Sequence, residues 1–317
     1  MSAATATAPK RGRVRKPSPD SGSVIQRQRR KYFVPFVGPA LLFYTVLFIL
    51  PALGAVFISF HEWAGSGPMK FVGFGNYVRV FRDSQFIHAF RNTLLLLFVA
   101  GAFIFIIAFA LTMVLRTMWG KSTVRSVIFF PHLVNALVFG VLAGFLFNPN
   151  GLVNTFLGFF GIEGPQWLAK ENMFPLIMAM VILTTTGYYT TIIMAGVDRI
   201  PPFLYEDCAL AGATPFQRLW HVVLPLTWDV FGTCAILWTL SSIKIFEMIW
   251  IFGGSSGAGI PAVETWTSAV YTYVTAFSGQ STPAFGKATA SAIISLLLIS
   301  VLVVFLRKVF RREAVEF

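Results

Sequence analysis

The chain has 317 residues, of which 56% are hydrophobic and 12% are charged, and its mean hydropathy is +0.72. A soluble domain cannot expose so much apolar surface and stay dispersed, so the composition excludes a soluble globular protein. The formal net charge is +12, and most of it comes from residues 1–31.

These first 31 residues form a basic tail with nine Lys and Arg residues and one acid, Asp20. The Ala, Ser and Pro content predicts a disordered segment. A nucleic-acid-binding tail is one interpretation, but membrane topology and anionic lipid explain a basic segment beside a membrane helix. We therefore expect a disordered cytoplasmic tail at 1–31 that contacts lipid and no nucleic acid, followed by a membrane domain at 32–317.

Six apolar runs follow in chain order. Each is long enough to cross the hydrocarbon core as a helix, which takes about 20 residues. The runs predict an all-α membrane protein with six transmembrane helices. They lie at about 33–60, 93–115, 124–146, 173–195, 226–251 and 288–306.

The distribution of Lys and Arg predicts the orientation of these helices. If the N-terminus is cytoplasmic, the segments on the inside carry 18 basic residues and those on the outside carry 6. Both termini are therefore expected in the cytoplasm.

Motifs for catalysis and for cofactor or metal binding are missing from the sequence. Gly120-Lys121-Ser122 ends like a phosphate-binding loop, but Leu115 stands where that motif requires glycine. There is no HExxH motif and no cluster of Cys and His. We therefore predict no catalytic, cofactor-binding or metal-binding residues in this chain, and a protein that is not an enzyme.

A polar loop, residues 196–225, separates the fourth and fifth apolar runs. The two prolines near its start can open a helix, because proline is tolerated in a first helical turn, and Gly212 is expected to end that helix. Thr214 and Gln217 have the spacing of a capping box at the start of a second helix, which is expected to stop before Pro225. The loop is thus predicted to be a bent pair of short helices, either an unpartnered interfacial hairpin or a docking site.

This loop resembles the cytoplasmic loop shared by permease subunits of binding-protein-dependent ABC importers. The chain departs from the family pattern at Asp207, Cys208 and Ala211, which changes side chains and keeps the spacing. The positions that match are Ala195, Gly196, Ile200, Pro201, Leu204, Tyr205, Glu206, Gly212, Ala213, Gln217, Leu224 and Pro225.

Further segments resemble that family at residues 74–77, 92–93 and 151–154. Others resemble its sugar-transporting branch, which includes the maltose and glycerol-3-phosphate permeases. They lie at residues 244–247, 253–254, 264–265, 273–277 and 285–291.

The resemblance implies the transmembrane domain of a type I ABC importer, which carries a sugar or related polyol by alternating access in the inner or plasma membrane of a prokaryotic cell. The implied partners are a second, different permease of the family, two ABC ATPase subunits that bind ATP and Mg, an extracytoplasmic solute-binding protein and membrane lipid. The ATPases would contact the loop. The residues assigned to this coupling contact are Tyr205, Glu206, Asp207, Ala209, Gly212, Ala213, Gln217, Arg218 and Pro225.

Helix depth guides the assignment of the substrate pathway, since a helix rises about 1.5 Å per residue. The middle parts of the third, fourth and fifth runs carry polar or aromatic residues, a mixture that suits a polyol. Ordinary packing and hydrogen bonding between helices are the alternative for each of them. The residues assigned to the pathway are Asn135, Tyr188, Trp238, Ser242, Phe246 and Glu247.

Lys244 and Glu247 are charged residues within the fifth run, where a charge costs about 2.5 to 3.5 kcal/mol on insertion scales. Their spacing would place them one helical turn apart. They are expected either to pair with each other and set the register of the helix, or to contact solute.

An ion-coupled secondary transporter of a small polar solute is the alternative function. Such proteins usually contain an internal repeat and place coupling acids in mid-membrane. This chain shows no repeat, and Glu206 and Asp207 lie in the loop. Which sugar or polyol is carried is left open.

Overall fold

The computed structural model describes residues 35–254, 259–278 and 284–311. The predicted tail at 1–31 lies outside the described residues, as do both ends of the predicted domain at 32–317. The chain divides into two units, residues 1–55 and 56–317. The described part is mostly helical and contains one short hairpin.

The hairpin pairs strand β1 (His61–Glu62) with β2 (Lys70–Phe71) in antiparallel register. A 3-10 turn at Val263–Thr265 comes shortly before α12. The helices are α1 Pro35–Ser59, α2 Gly75–Arg82, α3 Ser84–Arg116, α4 Lys121–Leu133, α5 Ala136–Leu146, α6 Leu152–Phe159, α7 Lys170–Val197, α8 Pro202–Leu210, α9 Phe216–Leu226, α10 Trp228–Ser242, α11 Glu247–Gly254, α12 Ser268–Phe277 and α13 Phe285–Phe310.

Helix α1 continues through a proline by widening for one turn. In the π turn Thr45–Ile49, the N–H of Leu50 donates to the carbonyl of Thr45, five residues back. Pro51 follows and cannot donate a backbone hydrogen bond. The wider turn accommodates this residue without a donor, so the helix does not end there.

Four helices, α1, α3, α7 and α13, are each long and apolar enough to cross a membrane. Two pairs, α4 with α5 and α9 with α10, meet that test only together, and they are bent by 91° and 70°. The prediction of a helical membrane protein is therefore confirmed, with four to six candidate spans among the described residues.

Two of the predicted runs are not single helices. The run at 124–146 breaks at Asn135, whose side chain accepts a hydrogen bond from the N–H of Leu137 at 2.8 Å. Asparagine is a favoured N-cap, so a new helix starts here in another direction. The run at 226–251 ends its first helix at Ser242 and resumes at Glu247. The prediction of continuous helices was wrong because apolar composition does not reveal a break inside an apolar stretch.

Helix α7 is the most buried of the four long helices and packs against α3 and α4. Gly187 of α7 lies directly against the backbone carbonyl of Ile128 in α4, where a side chain would collide. Gly101 of α3 lies in the same way against the indole of Trp238 in α10. Small residues at these crossings let the helices approach closely.

Polar contacts fasten α12 and the turn before it to the first part of α3. The amide of Asn92 donates to the carbonyls of Glu264 and Trp266 at 2.8 and 2.9 Å. The hydroxyl of Thr93 accepts from the N–H of Ser268 at 2.9 Å. These contacts fix α12 at one end of the long helices.

Asp83, the N-cap of α3, connects α12 to α13 at the same end. Its carboxylate accepts from the ammonium of Lys287 at 2.6 Å and from the hydroxyl of Tyr271 at 2.7 Å. Three helices are therefore held together by one acidic side chain.

Candidate functional site

A cavity of about 690 Å³ opens beside the middle of α7. Its walls come from the elbow between α4 and α5, from the centre of α7 and from the turn between α10 and α11. Both helix breaks in this part of the chain therefore border the same space. The polar and aromatic lining includes His132, Asn135, Thr184, Thr185, Tyr188, Tyr189, Trp238, Ser241, Lys244, Phe246 and Glu247.

Ser242 is the one residue predicted for the pathway that does not line this cavity. Its side chain is fully buried, and its hydroxyl donates to the carbonyl of Thr239 at 3.2 Å. Ser241 lines the cavity instead, because successive helical residues point about 100° apart. Helix depth placed Ser242 at the right level of the helix, but it does not tell which face of a helix meets the cavity. The lining residues that the sequence had assigned to the pathway are Asn135, Tyr188, Trp238, Phe246 and Glu247.

Two contacts fix aromatic rings in the wall of the cavity. The rings of His132 and Tyr188 stack with 4.5 Å between centroids and 22° between planes. The indole N–H of Trp238 donates to the carbonyl of Leu97 in α3 at 2.8 Å, which fixes that ring. His132 was not predicted. Its signal was an imidazole within an otherwise apolar run, directly after Pro131.

Lys244 and Glu247 lie in the turn after α10 and at the first residue of α11. Both are exposed and line the cavity. Among the described residues, no ion pair joins them. The expected pairing on one helix was wrong because the helix ends at Ser242 before either charge is reached.

The lining therefore combines flat rings with groups that exchange hydrogen bonds. The ammonium of Lys244 donates, the carboxylate of Glu247 accepts, and the hydroxyl of Ser241 does both. Such a lining suits a molecule rich in hydroxyl groups, and the volume lies in the usual range of small-molecule sites, about 300 to 1,000 Å³. The described residues contain no group of three His, Cys, Asp or Glu that could hold a metal ion.

The loop forms the predicted bent pair of short helices, α8 and α9. Helix α8 runs from Pro202 to Leu210 and is followed by Gly212, which has a left-handed φ of +69°. The N–H of Gln217 donates to the hydroxyl of Thr214 at 3.3 Å, and the N–H of Thr214 donates to the side-chain carbonyl of Gln217 at 2.9 Å. This reciprocal pair confirms the predicted capping box.

Helix α9 does not stop before Pro225, as the sequence suggested, but ends at Leu226. A π turn at Leu219–Val223 lets the N–H of Leu224 donate to the carbonyl of Leu219, five residues back. As in α1, a single residue separates the wider turn from the proline. The turn accommodates the proline, which lacks an N–H to donate, so the helix continues. Helix α9 therefore reaches the 70° bend into α10.

The residues assigned to the coupling contact fall into two groups. Tyr205, Ala213 and Arg218 are half-buried and support the fold of the loop. The others form an exposed surface that a partner could reach, together with the exposed side chains of Phe203 and Leu210. The exposed members are Glu206, Asp207, Ala209, Gly212, Gln217 and Pro225.

Tyr205 contacts two cations. The guanidinium of Arg116, at the end of α3, lies 3.4 Å from the centroid of the Tyr205 ring, and that of Arg218 lies 5.6 Å from it. Burial raises the pKa of the Tyr205 hydroxyl, and the nearby Arg116 opposes that shift. Cation–π attraction thus connects the loop to α3, a contact that the sequence did not predict.

Known proteins resemble this chain along most of its length. It is 28% identical to the diacetylchitobiose uptake system permease protein NgcF of Streptomyces coelicolor, over 93% of this chain and 88% of that protein. It is 27% identical to the trehalose/maltose transport system permease protein MalF of Thermococcus litoralis, over 87% of this chain and 92% of that protein. It is also 27% identical to the lactose transport system permease protein LacF of Rhizobium radiobacter, over 84% of this chain and 90% of that protein.

Two solved structures share the fold. One is a bacterial ABC transporter involved in the import of the acidic polysaccharide alginate, with a TM-score of 0.76 and 22% identity over 92% of this chain and 99% of the other. The second is a bacterial alginate ABC transporter in complex with an alginate pentasaccharide-bound periplasmic protein, with a TM-score of 0.77 and 22% identity over 92% and 98% of the two chains.

A family profile described as binding-protein-dependent transport system inner membrane component matches residues 116–315. This match covers well over half of the chain and includes both the cavity and the loop. The chain belongs to the family of binding-protein-dependent transport system inner membrane components.

Proposed function

We propose that this chain is a permease subunit of an ATP-driven ABC importer and forms part of the membrane pathway for a saccharide or related polyol. The observation that carries the proposal is the cavity, where rings, hydroxyl groups, an amide and the charges of Lys244 and Glu247 meet at two helix breaks. The relatives support it, since they are permeases of diacetylchitobiose, trehalose/maltose and lactose transport systems.

The assembly would contain two ABC ATPase subunits, which bind ATP and Mg outside this chain, and the loop would be the contact of this chain with the ATPases. Its exposed residues on α8 and α9 offer a surface for docking. The stacking of Arg116 on Tyr205 joins α8 to the end of α3. A displacement of the docked loop would therefore reach α3, which also contacts Trp238 in the cavity wall.

The assembly would contain a second, different permease and an extracytoplasmic solute-binding protein. A solved structure of the same fold contains a periplasmic protein loaded with alginate pentasaccharide. We further propose six spans with both termini in the cytoplasm, in the inner or plasma membrane of a prokaryotic cell. This orientation places the loop inside the cell and α12 with the β1–β2 hairpin outside.

Transport in proteoliposomes tests the proposal. The complete complex is reconstituted with ATP and Mg trapped inside and the solute-binding protein outside, and uptake of labelled diacetylchitobiose, maltose and lactose is measured. We expect uptake of at least one sugar that requires both ATP and the binding protein. Uptake by this chain alone, driven by a proton or sodium gradient, would instead show an ion-coupled secondary transporter.

A further inference from the structure

Six aromatic rings form a continuous strip that starts in the cavity. Phe246, which lines the cavity, contacts Trp250 and Tyr273 at centroid distances of 5.3 and 5.2 Å. Tyr273 contacts Phe277 at 5.2 Å. The strip then passes from Phe277 to Phe285 at 5.2 Å and from Phe285 to Trp63 at 5.5 Å.

The strip reaches the end of the helices that lies opposite the loop. Phe285 is the first residue of α13, and Trp63 directly follows strand β1. Arg116, which contacts the loop, lies at the other end of α3 from Asp83, and Asp83 pairs with Lys287 beside Phe285. In the proposed orientation, the strip thus leads from the outer surface to the cavity.

Burial separates this strip from ordinary core packing. On helix α12, Tyr271 and Val274 are buried, whereas Tyr273 is 40% exposed and Phe277 is 61% exposed. The other four rings of the strip are half-buried. One face of α12 therefore packs into the protein while the opposite face presents flat rings outward.

The rings are also held in place. The polar contacts of Asn92 and Asp83 fix α12 against α3 and α13. Phe285 lies against Gly65, whose φ is +92°, and a side chain at Gly65 would occupy the space of that ring. A fixed ring binds a flat partner with little loss of conformational entropy.

We propose that this aromatic strip is a saccharide-binding track, on which pyranose rings stack their C–H faces as they move from the outer surface to the cavity. The inference rests on the proposed function. Aromatic side chains give a large apolar contact with a preferred stacking geometry, and the hydroxyl groups of the sugar stay in water at the exposed edge of the strip. The unbroken connection to a polar cavity favours sugar over lipid, because rings that only anchor a membrane interface have no reason to lead into such a cavity.

Two double variants separate ring stacking from general apolar packing. Tyr273→Leu with Phe277→Leu keeps apolar bulk without flat rings, and Tyr273→Phe with Phe277→Tyr keeps the rings. The control is Phe81→Leu, at an exposed phenylalanine of α2 that lies outside the strip. Uptake is measured at a sugar concentration below saturation, in the reconstituted complex with whichever of diacetylchitobiose, maltose and lactose the native complex transports.

We expect the double leucine variant to lose about tenfold in uptake, while the aromatic swap and Phe81→Leu stay within about twofold of the native complex. Complex yield and ATP hydrolysis without sugar should be unchanged in all three. Equal uptake by the leucine and aromatic variants would overturn the track. Loss of the second permease from the purified leucine variant would also overturn it, because the strip would then be a subunit interface. If the native complex shows no ATP-driven uptake of any of the three sugars, the proposed function fails for these sugars, and the track fails with it.

Discussion

At the scale of single residues, the side chain of Asp83 joins three helices. It caps α3 and accepts hydrogen bonds from Lys287 of α13 and Tyr271 of α12. Burial of Asp83 opposes its ionisation. The hydrogen bonds from Lys287, Tyr271 and the N–H of Gln85 outweigh burial and hold the pKa of this carboxyl below its ordinary value of 3.8. The ionised carboxylate therefore stabilises the end of the long helices that the aromatic strip reaches.

Asp83→Asn should lower the free energy of unfolding by about 2 kcal/mol at pH 7, because hydrogen bonds to a charged group are lost. Since the pKa is lowered on folding, this contribution is present above the unfolded value of 3.8 and is lost as the pH falls through the folded value. The melting temperatures of the purified native protein and the variant should differ at pH 7 and converge as the pH falls through the lowered pKa of Asp83. The control, Asp229→Asn, removes an exposed carboxylate and should leave the melting temperature unchanged. A gap that persists at low pH would contradict the role of ionised Asp83.

At the scale of elements, the sequence predicted the existence of the helices better than their continuity. Apolar length located the long helices, and Thr214 with Gln217 located the start of α9 correctly. The break at Asn135 carried only a weak signal, since an N-cap residue inside an apolar run is also compatible with an uninterrupted span. Pro225 misled in the opposite direction, because proline usually ends a helix. A π turn before Pro225 lets α9 continue, as the π turn before Pro51 does in α1, which the sequence had predicted as one run.

Gly212 allows a prediction about the loop. Its φ of +69° is one that side chains with a branched Cβ adopt at a cost of about 1 to 2 kcal/mol. Apart from Gly212 and its two chain neighbours, no described residue has an atom within 4 Å of where its Cβ would be. Gly212→Val should therefore reduce ATP-driven uptake several-fold through backbone strain, whereas Gly212→Asn should retain it, because asparagine tolerates this conformation. Uptake and recovery of the ATPase with the purified complex are measured for both variants. An equal loss in both would indicate a clash with the partner, and normal uptake by the valine variant would remove the requirement for a left-handed residue.

At the scale of the whole molecule, the sequence identified the type of protein and five of the residues that line the cavity. Asn135, Tyr188 and Trp238 were found by helix depth alone, and all three line the cavity. Ser242 lies on a face of α10 that does not meet the cavity, and helix depth cannot tell the faces of a helix apart. The described residues show no pairing of Lys244 with Glu247, because that expectation assumed a continuous fifth helix. The cavity exists because two helices break beside α7, and such a meeting of distant segments cannot be seen in the pattern of either segment.

The missing ion pair leads to a prediction for transport. Glu247→Gln should raise the sugar concentration for half-maximal uptake about tenfold, since a hydrogen bond to a carboxylate is stronger than one to an amide. The melting temperature of the complex should stay the same, because no ion pair is lost. Glu264→Gln, at an exposed glutamate outside the cavity, should change neither quantity. A less stable complex with normal half-maximal concentration would point to a role in helix register instead.

The two helix breaks beside the cavity also determine how wet it is. A helix end leaves several backbone N–H or carbonyl groups without partners in its own helix, and the side chain of Asn135 satisfies just one such N–H, that of Leu137. At membrane depth the remaining groups need water or protein partners. The cavity should therefore stay hydrated in its resting state. The hydroxyl groups of an entering sugar would then exchange hydrogen bonds to bulk water for hydrogen bonds to the water in the cavity.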